Sequence, residues 1–370
     1  MTETPIRIGA DTIGAQLSAV FEAWGMPEAV RRPTVEIMVE TDLRGIDSHG
    51  LAMLPLYARL REIGVLNVAP EIRVVQERPV MALIDADGGL GHAPAAMAMD
   101  MAIEKAKAAG LAAVAVRNSA HFGAAGAYAM RAAEAGLIGL ALTNGKTPGV
   151  VPTRAKRPMY STNPIAFAAP AGVNPPFVLD MATSTVAIGK VKLAWFAGKE
   201  LPDGWTLDPE GRTVKDAGEA FDGHGRLKTG WGQTPLGGLA EMSSHKGYGL
   251  AIMVEILSAM LSGARYGATR AARGQGGEDS EDVGHFMLAI DPAAFRDPDG
   301  FAEDMDDMID ALRATPPIDP GEPVLVAGDP ETAAHLERSE HGVPVPAKLI
   351  EQVRQISRAA NAEFMLSNET

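Results

Sequence analysis

At Ile72 the apolar pattern of this 370-residue chain changes period, and that change limits what it can fold into. Before it, Ile13, Leu17, Val20, Phe21 and Trp24 recur at helical spacing. Residues 35–43, then Leu51, Leu54, Tyr57 and Ala58, continue in the same way. Pro27 and Pro33 both suit first-turn helix positions. The chain before Ile72 therefore predicts a small all-helical unit. After it, 72–75 and 80–84 read as strands, and Gly88-Gly89-Leu90-Gly91 as a turn. An Ala/Met-rich helix follows from Pro94 and stops at Gly110. Strands at 111–116, 137–142, 165–169 and 177–180 surround a helix at 122–135. Several strand links are short enough for hairpins, which favours a mixed α+β sheet over a doubly wound parallel one.

The stretch 199–238 is rich in Gly, Pro, Asp and Thr without periodicity and reads as a long loop. A strong helix at 246–261 carries Leu250, Val254, Leu257 and Leu261 on one face. A mobile surface loop is expected at 270–284, strands at 285–290 and 324–327, and helices at 301–312, 330–340 and 347–360.

Composition removes several functions. With no cysteine, disulfides, thiolate metal sites and cysteine nucleophiles are excluded. A formal net charge of -14 without a basic stripe argues against a nucleic-acid partner. No run approaches the ~18 apolar residues of a membrane span, and no signal pattern opens the chain, so a cytoplasmic protein is expected.

Chemistry concentrates at a few polar boundaries. Ser48-His49-Gly50 lies between two helical runs, where a histidine can face a cleft and a glycine admits a close backbone or ligand. An imidazole suits proton transfer near neutrality. The same pair also reads as a helix cap and a surface histidine. The segment from Arg117 to Gly123 ends a strand and opens a helix, whose N–H groups could meet a pyrophosphate. His121, Gly123 and Ala125 would let a dinucleotide lie close, or Ser119 merely caps a turn. Thr162, in a polar turn with Asn163-Pro164, could bind a substrate carboxylate or simply shape that turn. Asp180 ends an apolar strand, where a histidine would be its natural partner and a turn cap the alternative. Lys246, beside His245, could meet phosphate or stay solvated. A carboxylate in Gly328-Asp329-Pro330-Glu331 could bind ribose hydroxyls or serve the helix dipole.

No G-x-G-x-x-G or Walker pattern is present, Gly123-Ala124-Ala125-Gly126 being the nearest approach. No histidine pair at helical spacing beside a carboxylate suggests a metal. A serine hydrolase built on Ser48, His49 and Asp180 lacks a G-x-S-x-G elbow. Adjacent Ser and His are also not expected to bond across their own peptide.

Taken in order, five landmarks resemble the malate/L-lactate dehydrogenase-like family. They are Asp47-Ser48-His49-Gly50, 118–123, Thr162-Asn163-Pro164, 179–184 and 246–250. Relatives include sulfolactate and ureidoglycolate dehydrogenases, diketogulonate reductase and the cyclic-imine reductases. The resemblance implies an α+β, non-Rossmann dinucleotide-binding fold with a mixed, largely antiparallel sheet. It also implies a helical domain formed by both chain ends, placed here at 1–68 with 295–370, an α+β domain at 69–294, and a homodimer. The implied reaction is NAD- or NADP-dependent hydride transfer to a small 2-oxo acid or, alternatively, a cyclic imino acid. A non-catalytic metabolite-binding protein on the same scaffold is the reading from another class.

By the resemblance His49 is the proton donor, and Ser48 and Asp180 orient and polarise it. Thr162 binds substrate. Cofactor contacts carry over to His121, Phe122, Gly123, Ala124 and Ala125. They also fall on Met181, Ala182, Thr183 and Ser184, on His245 and Lys246, and on Gly328, Asp329 and Glu331. One departure concerns substrate: Met53 stands where many members carry an arginine clamp, leaving Arg44 or Arg59 as candidate cations.

Overall fold

The computed structural model describes residues 5–225, 228, 230–267 and 281–366. A short strand, β1 (Ile6–Ile8), precedes α1 (Ala10–Ala23) and α2 (Glu28–Leu43). α1 buries Ile13, Leu17, Val20 and Phe21, as its spacing predicts. α2 already begins at Glu28, so Pro33 lies inside it rather than in a first turn. The proline nitrogen cannot donate to the Ala29 carbonyl, yet burial of Val30, Ile37 and Met38 carries the helix through. A 3-10 turn, Leu51–Met53, leads into α3 (Leu54–Glu62), which buries Leu54, Tyr57 and Leu60.

Next come β2 (Arg73–Arg78), β3 (Met81–Asp85), α4 (His92–Ala109), β4 (Leu111–Ser119) and α5 (Gly126–Glu134). β5 (Ile138–Thr143), β6 (Ile165–Ala169) and β7 (Phe177–Met181) follow. The aperiodic stretch holds small elements: β8 (Thr206–Leu207), α7 (Ala217–Ala220) and β9 (Gly232–Gln233), after α6 (Ile188–Phe196). Pieces that short cannot display a period. α8 (His245–Val254) runs on as a π-helical turn, Glu255–Met260. The chain closes with β10 (Val283–Ile290), α9 (Pro298–Arg313), α10 (Asp329–His341), β11 (Val343–Val345) and α11 (Ala347–Ala360). Most of the loop expected at 270–284 lies outside the described residues, and its last two residues belong to β10.

The strand expected at 324–327 does not form. The Val326 N–H donates to the Asp329 carboxylate and its carbonyl accepts from the Asp329 N–H, capping α10, while the Ala327 carbonyl accepts the Val178 N–H of β7.

Seven strands form one sheet in the order β2-β3-β4-β10-β5-β6-β7. Only β3 and β4 pair in parallel. The other neighbours are antiparallel, so the sheet is mixed α+β as expected. α4 and α5 cover one face, around Ile84, Met99, Val116 and Met287. Alanines on these helices let them lie close. A Cβ on Gly139 of β5 would sit 2.5 Å from the Ala129 carbonyl. Leu142, Ile165 and Phe286 on the opposite face pack against Val254 of α8.

A second core joins Ile13, Leu17, Phe21, Leu54 and Tyr57 to Val343, Ile350 and Val353. Both chain ends thus share one apolar interior. Antiparallel pairing of Ile6 with Val345 adds to it, through strands of three residues too short to read from sequence. No helix among the described residues is long and apolar enough to cross a membrane.

Candidate active site

The loop that carries Ser48 and His49 is pinned from two sides. Asp42, in the last turn of α2, accepts the Leu51 N–H at 2.8 Å. Gly50 makes that possible, because a Cβ there would lie 2.0 Å from Asp42 Oδ1. This glycine therefore admits a carboxylate of its own chain. Arg338 of α10 donates to the Asp42 carbonyl at 2.6 Å and pairs with the Asp47 carboxylate. Desolvation pushes the buried Asp42 carboxyl up to about 7. The Asp47 charge adds to this, while the Leu51 N–H and Arg338 oppose it.

Ser48 Oγ lies 2.7 Å from His49 Nδ1, contrary to the expectation that neighbours in sequence cannot bond. The turn at 47–50 brings both side chains to one side. The His49 ring stacks on His121 with centroids 5.5 Å apart. His121 Nδ1 in turn lies 2.8 Å from the Tyr57 hydroxyl and 3.2 Å from the Gly123 N–H. Behind this pair are two fully buried imidazoles. His285 sits between Ser119 Oγ, 2.8 Å from Nε2, and Thr143 Oγ1, 2.7 Å from Nδ1. His92 has no partner for either ring nitrogen.

Half of the chain's eight histidines thus converge, although sequence spacing scatters them. Burial lowers the pKa of all four. His92 and His285 fall to about 3, with neighbouring imidazoles contributing, and His121 falls well below the ordinary value. His49 is lowered by desolvation alone. Near neutral pH the cluster is therefore uncharged. The outer two rings differ from the inner two in access. His49 and His121 are half-buried, with no hydrogen-bond partner for Nε2 among the described residues, whereas His92 and His285 are fully buried. Among the described residues no cluster of His and carboxylates could hold a metal ion.

A narrow cleft adjoins this loop, lined by Arg44, Ile46, Ala124, Asp180, Gly328 and Glu331 among others. Asp180 does not meet a histidine within this chain. Its Oδ2 accepts the Gly126 N–H at 2.7 Å, at the start of α5. The helix N-terminus expected to receive a pyrophosphate thus already holds a carboxylate. Burial among protein atoms raises Asp180 to about 6. The Gly126 N–H opposes this and the Glu331 charge adds to it, although the side chain keeps access to water through the cleft. Segment 121–126 links the two centres, with His121 against His49 and Gly126 against Asp180.

Other expected residues fall into place around these. Gly123 has φ +79, and a Cβ there would press on His92 Nε2 at 2.9 Å. Phe122 is buried, stacked on His285 at 4.6 Å, and Ala125 is buried beside it. The Thr183 hydroxyl donates to the carbonyls of Thr162 and Asn163, and the Ser184 hydroxyl to that of Val186. Both hydroxyls are therefore spent within the fold. Thr162, Met181 and Ala182 are half-buried. Met53 packs against the helical core rather than lining the cleft. His245 and Lys246 stand exposed at the start of α8, outside the cleft lining. Asp329 is held by Arg313 at 2.6 Å, leaving Glu331 as the acid of that turn that reaches the cleft. Arg44 also lines it, paired with Glu40 at 2.7 Å, whereas Arg59 lines a separate groove.

Sequence reasoning missed Asp42, Tyr57, Arg338, His92 and His285. Only Asp42 carried a local signal, since an acid in the last turn of a helix opposes the dipole.

Two neutral, half-buried imidazoles on the loop beside this cleft suit proton exchange with a carbonyl or hydroxyl oxygen. The relatives of this chain are dehydrogenases, and it is an oxidoreductase acting on CH–OH groups. It belongs to the malate/L-lactate dehydrogenase family, whose model matches residues 8–354. It is 37% identical to a malate dehydrogenase of Pyrococcus horikoshii, covering 98% of this chain and 97% of that one. It is 34% identical to an L-sulfolactate dehydrogenase of Methanocaldococcus jannaschii, covering 91% and 92%. The crystal structure of malate dehydrogenase from Entamoeba histolytica superposes with a TM-score of 0.90 at 30% identity, covering 97% and 99%.

Family membership implies a nicotinamide cofactor. The acceptors beside the cleft suit one: Asp180 and Glu331 can accept from ribose hydroxyls, while the space at Gly126 and Gly328 is taken by Asp180 and Val178 of the same chain.

Proposed function

We propose that this chain interconverts a small 2-oxo acid and its 2-hydroxy acid with NAD or NADP, and that His49 carries the proton. The observation behind it is His49 itself, half-buried, with Nδ1 held by Ser48 and the ring kept neutral by burial. In the reducing direction Nε2 of protonated His49 gives its proton to the substrate oxygen, and in the oxidising direction neutral His49 takes the hydroxyl proton. The cofactor, when bound, supplies or accepts the hydride. The turn from His121 to Ala125, with Gly328 and Glu331, is read as its cradle.

Arg44, whose Nε is paired with Glu40, is the arginine that lines the cleft, and we read it as the partner of a substrate acid group. Malate and sulfolactate, named for the two relatives above, each carry a second acidic group, and we read the substrate as of that kind. The fold is read as a non-Rossmann cofactor fold, supported by the single parallel strand pair. The division into 1–68 with 295–370 and 69–294 is supported by the core that both chain ends share. A homodimer accords with the exposure of Leu193, Phe196 and Leu261.

The test is consumption of NADH and NADPH, followed by the absorbance of the reduced nicotinamide, with 2-oxo diacids, 2-oxo monoacids and cyclic imines. We expect turnover with a 2-oxo diacid. His49→Ala should lower kcat by about 10²-fold or more with cofactor affinity nearly unchanged. Full activity in that variant would remove His49 from the mechanism.

A further inference from the structure

We propose that Tyr57 is a positioning residue: its hydroxyl, with the Gly123 main-chain N–H, locks His121 as the Nε2–H tautomer and so offers a fixed neutral donor beside His49. The idea rests on the reading of the cleft as the reduction site.

The tautomer follows from the donors. A main-chain N–H can only donate, so the Gly123 contact at 3.2 Å requires a lone pair on His121 Nδ1. The Tyr57 hydroxyl, 2.8 Å from the same nitrogen, must then donate as well. A neutral ring with its lone pair at Nδ1 carries its proton on Nε2. Among the described residues that atom has no hydrogen-bond partner, and the residue is half-buried. The Tyr57 ring is fully buried, edge-on to His92 at 5.8 Å, which fixes where its hydroxyl oxygen lies.

The charge environment agrees. The titratable groups facing His121 are His49 from the 44–50 loop, His92 from α4, His285 from β10 and Tyr57 from α3. A proton on any of those imidazoles repels one on His121. The two accessible rings therefore divide the work. His49, tied only to a hydroxyl that can turn, exchanges its proton. His121, tied to a main-chain donor that cannot turn, polarises the substrate oxygen while remaining neutral.

Tyr57→Phe keeps the buried ring and deletes the hydroxyl. Loss of one donor to the neutral ring makes protonation of His121 easier, so the acid limb of the pH–rate profile should move to higher pH. We expect kcat to fall about 10-fold, less than the 10²-fold or more of removing a donor outright, as in His121→Ala. KM for the cofactor should stay within about twofold, since only the tie to the ring is altered. Long-range imidazole ¹⁵N spectra of the wild-type protein test the tautomer without any variant. A protonated Nδ1 on His121 would overturn the proposal, as would wild-type kcat and an unmoved acid limb in Tyr57→Phe. If His49→Ala is inactive while Tyr57→Phe behaves as wild type, this proposal alone fails. If no hydroxy acid is turned over but Nε2 of His121 is protonated, the lock stands and the functional reading fails.

Discussion

Asp42 is an acid at the negative end of a helix, buried, with a second carboxylate nearby. Each circumstance favours its neutral form. Its folded pKa of about 7 exceeds the value of about 3.9 expected in the unfolded chain. Between those values the native state binds more protons, so this group's contribution to stability falls as pH rises from about 4 to about 7. The full cost of ionising it in place is on the order of 4 kcal/mol. Asp42→Asn keeps an acceptor for the Leu51 N–H and removes the titration. We expect the variant to melt higher than wild type at about pH 8 and the gap to close by about pH 4. Thermal melts across that range decide it, and a gap independent of pH would contradict the linkage. The same neighbourhood shows why Gly50 is glycine, a point that the Ser-His-Gly string suggested for a different reason.

Among the elements, α10 connects the two halves of the site. At its N-terminus Gly328 lies against Val178 of β7, where a Cβ would be 3.2 Å from the main-chain nitrogen. Glu331 faces the cleft, Ala334 rests on Gly45, and Arg338 holds the Asp42 carbonyl and Asp47. Spacings of three and four place these on one face. One rigid helix thereby sets the cleft wall relative to the histidine loop. Arg338→Ala should cost about 1.5–3 kcal/mol in urea unfolding, the scale of hydrogen bonds to a charged group. It should also lower kcat by about 10-fold through a loosened His49. Loss of stability with unchanged turnover of the folded fraction would limit Arg338 to a structural role. α10 itself was legible from sequence, but its contacts were not, since residues 42 and 338 are brought together only by folding.

At the scale of the whole molecule the buried imidazoles make the protein acid-sensitive. An unfolded histidine takes up a proton near pH 6.5, whereas His92 and His285 resist until about pH 3. Over that interval the unfolded state binds more protons, so stability present above pH 6.5 is lost as pH falls. Each residue contributes on the order of 5 kcal/mol across the full interval, and together they outweigh the opposite trend of Asp42. That sum is comparable to a whole domain's stability of about 5–15 kcal/mol. We expect the melting temperature to fall steeply between about pH 6 and pH 4. His92→Leu, which removes a buried ring with no partners, should flatten that fall, and a parallel curve would refute the assignment.

What the sequence determined by itself was what depends on near neighbours. Apolar period set the helices, one of them to the residue at Ala347–Ala360, and the strands from β3 to β7. The linear order of short polar strings carried the family, because such strings survive in sequence whatever surrounds them. Tertiary structure alone decided the pairings across long separations. It inserted β10 between β4 and β5, gave Asp180 the Gly126 N–H in place of a histidine, and gathered four imidazoles from across the chain. These contacts are made by packing, which fixes partners through shape and burial, and no residue carries a local record of which distant group will fill its side of the core.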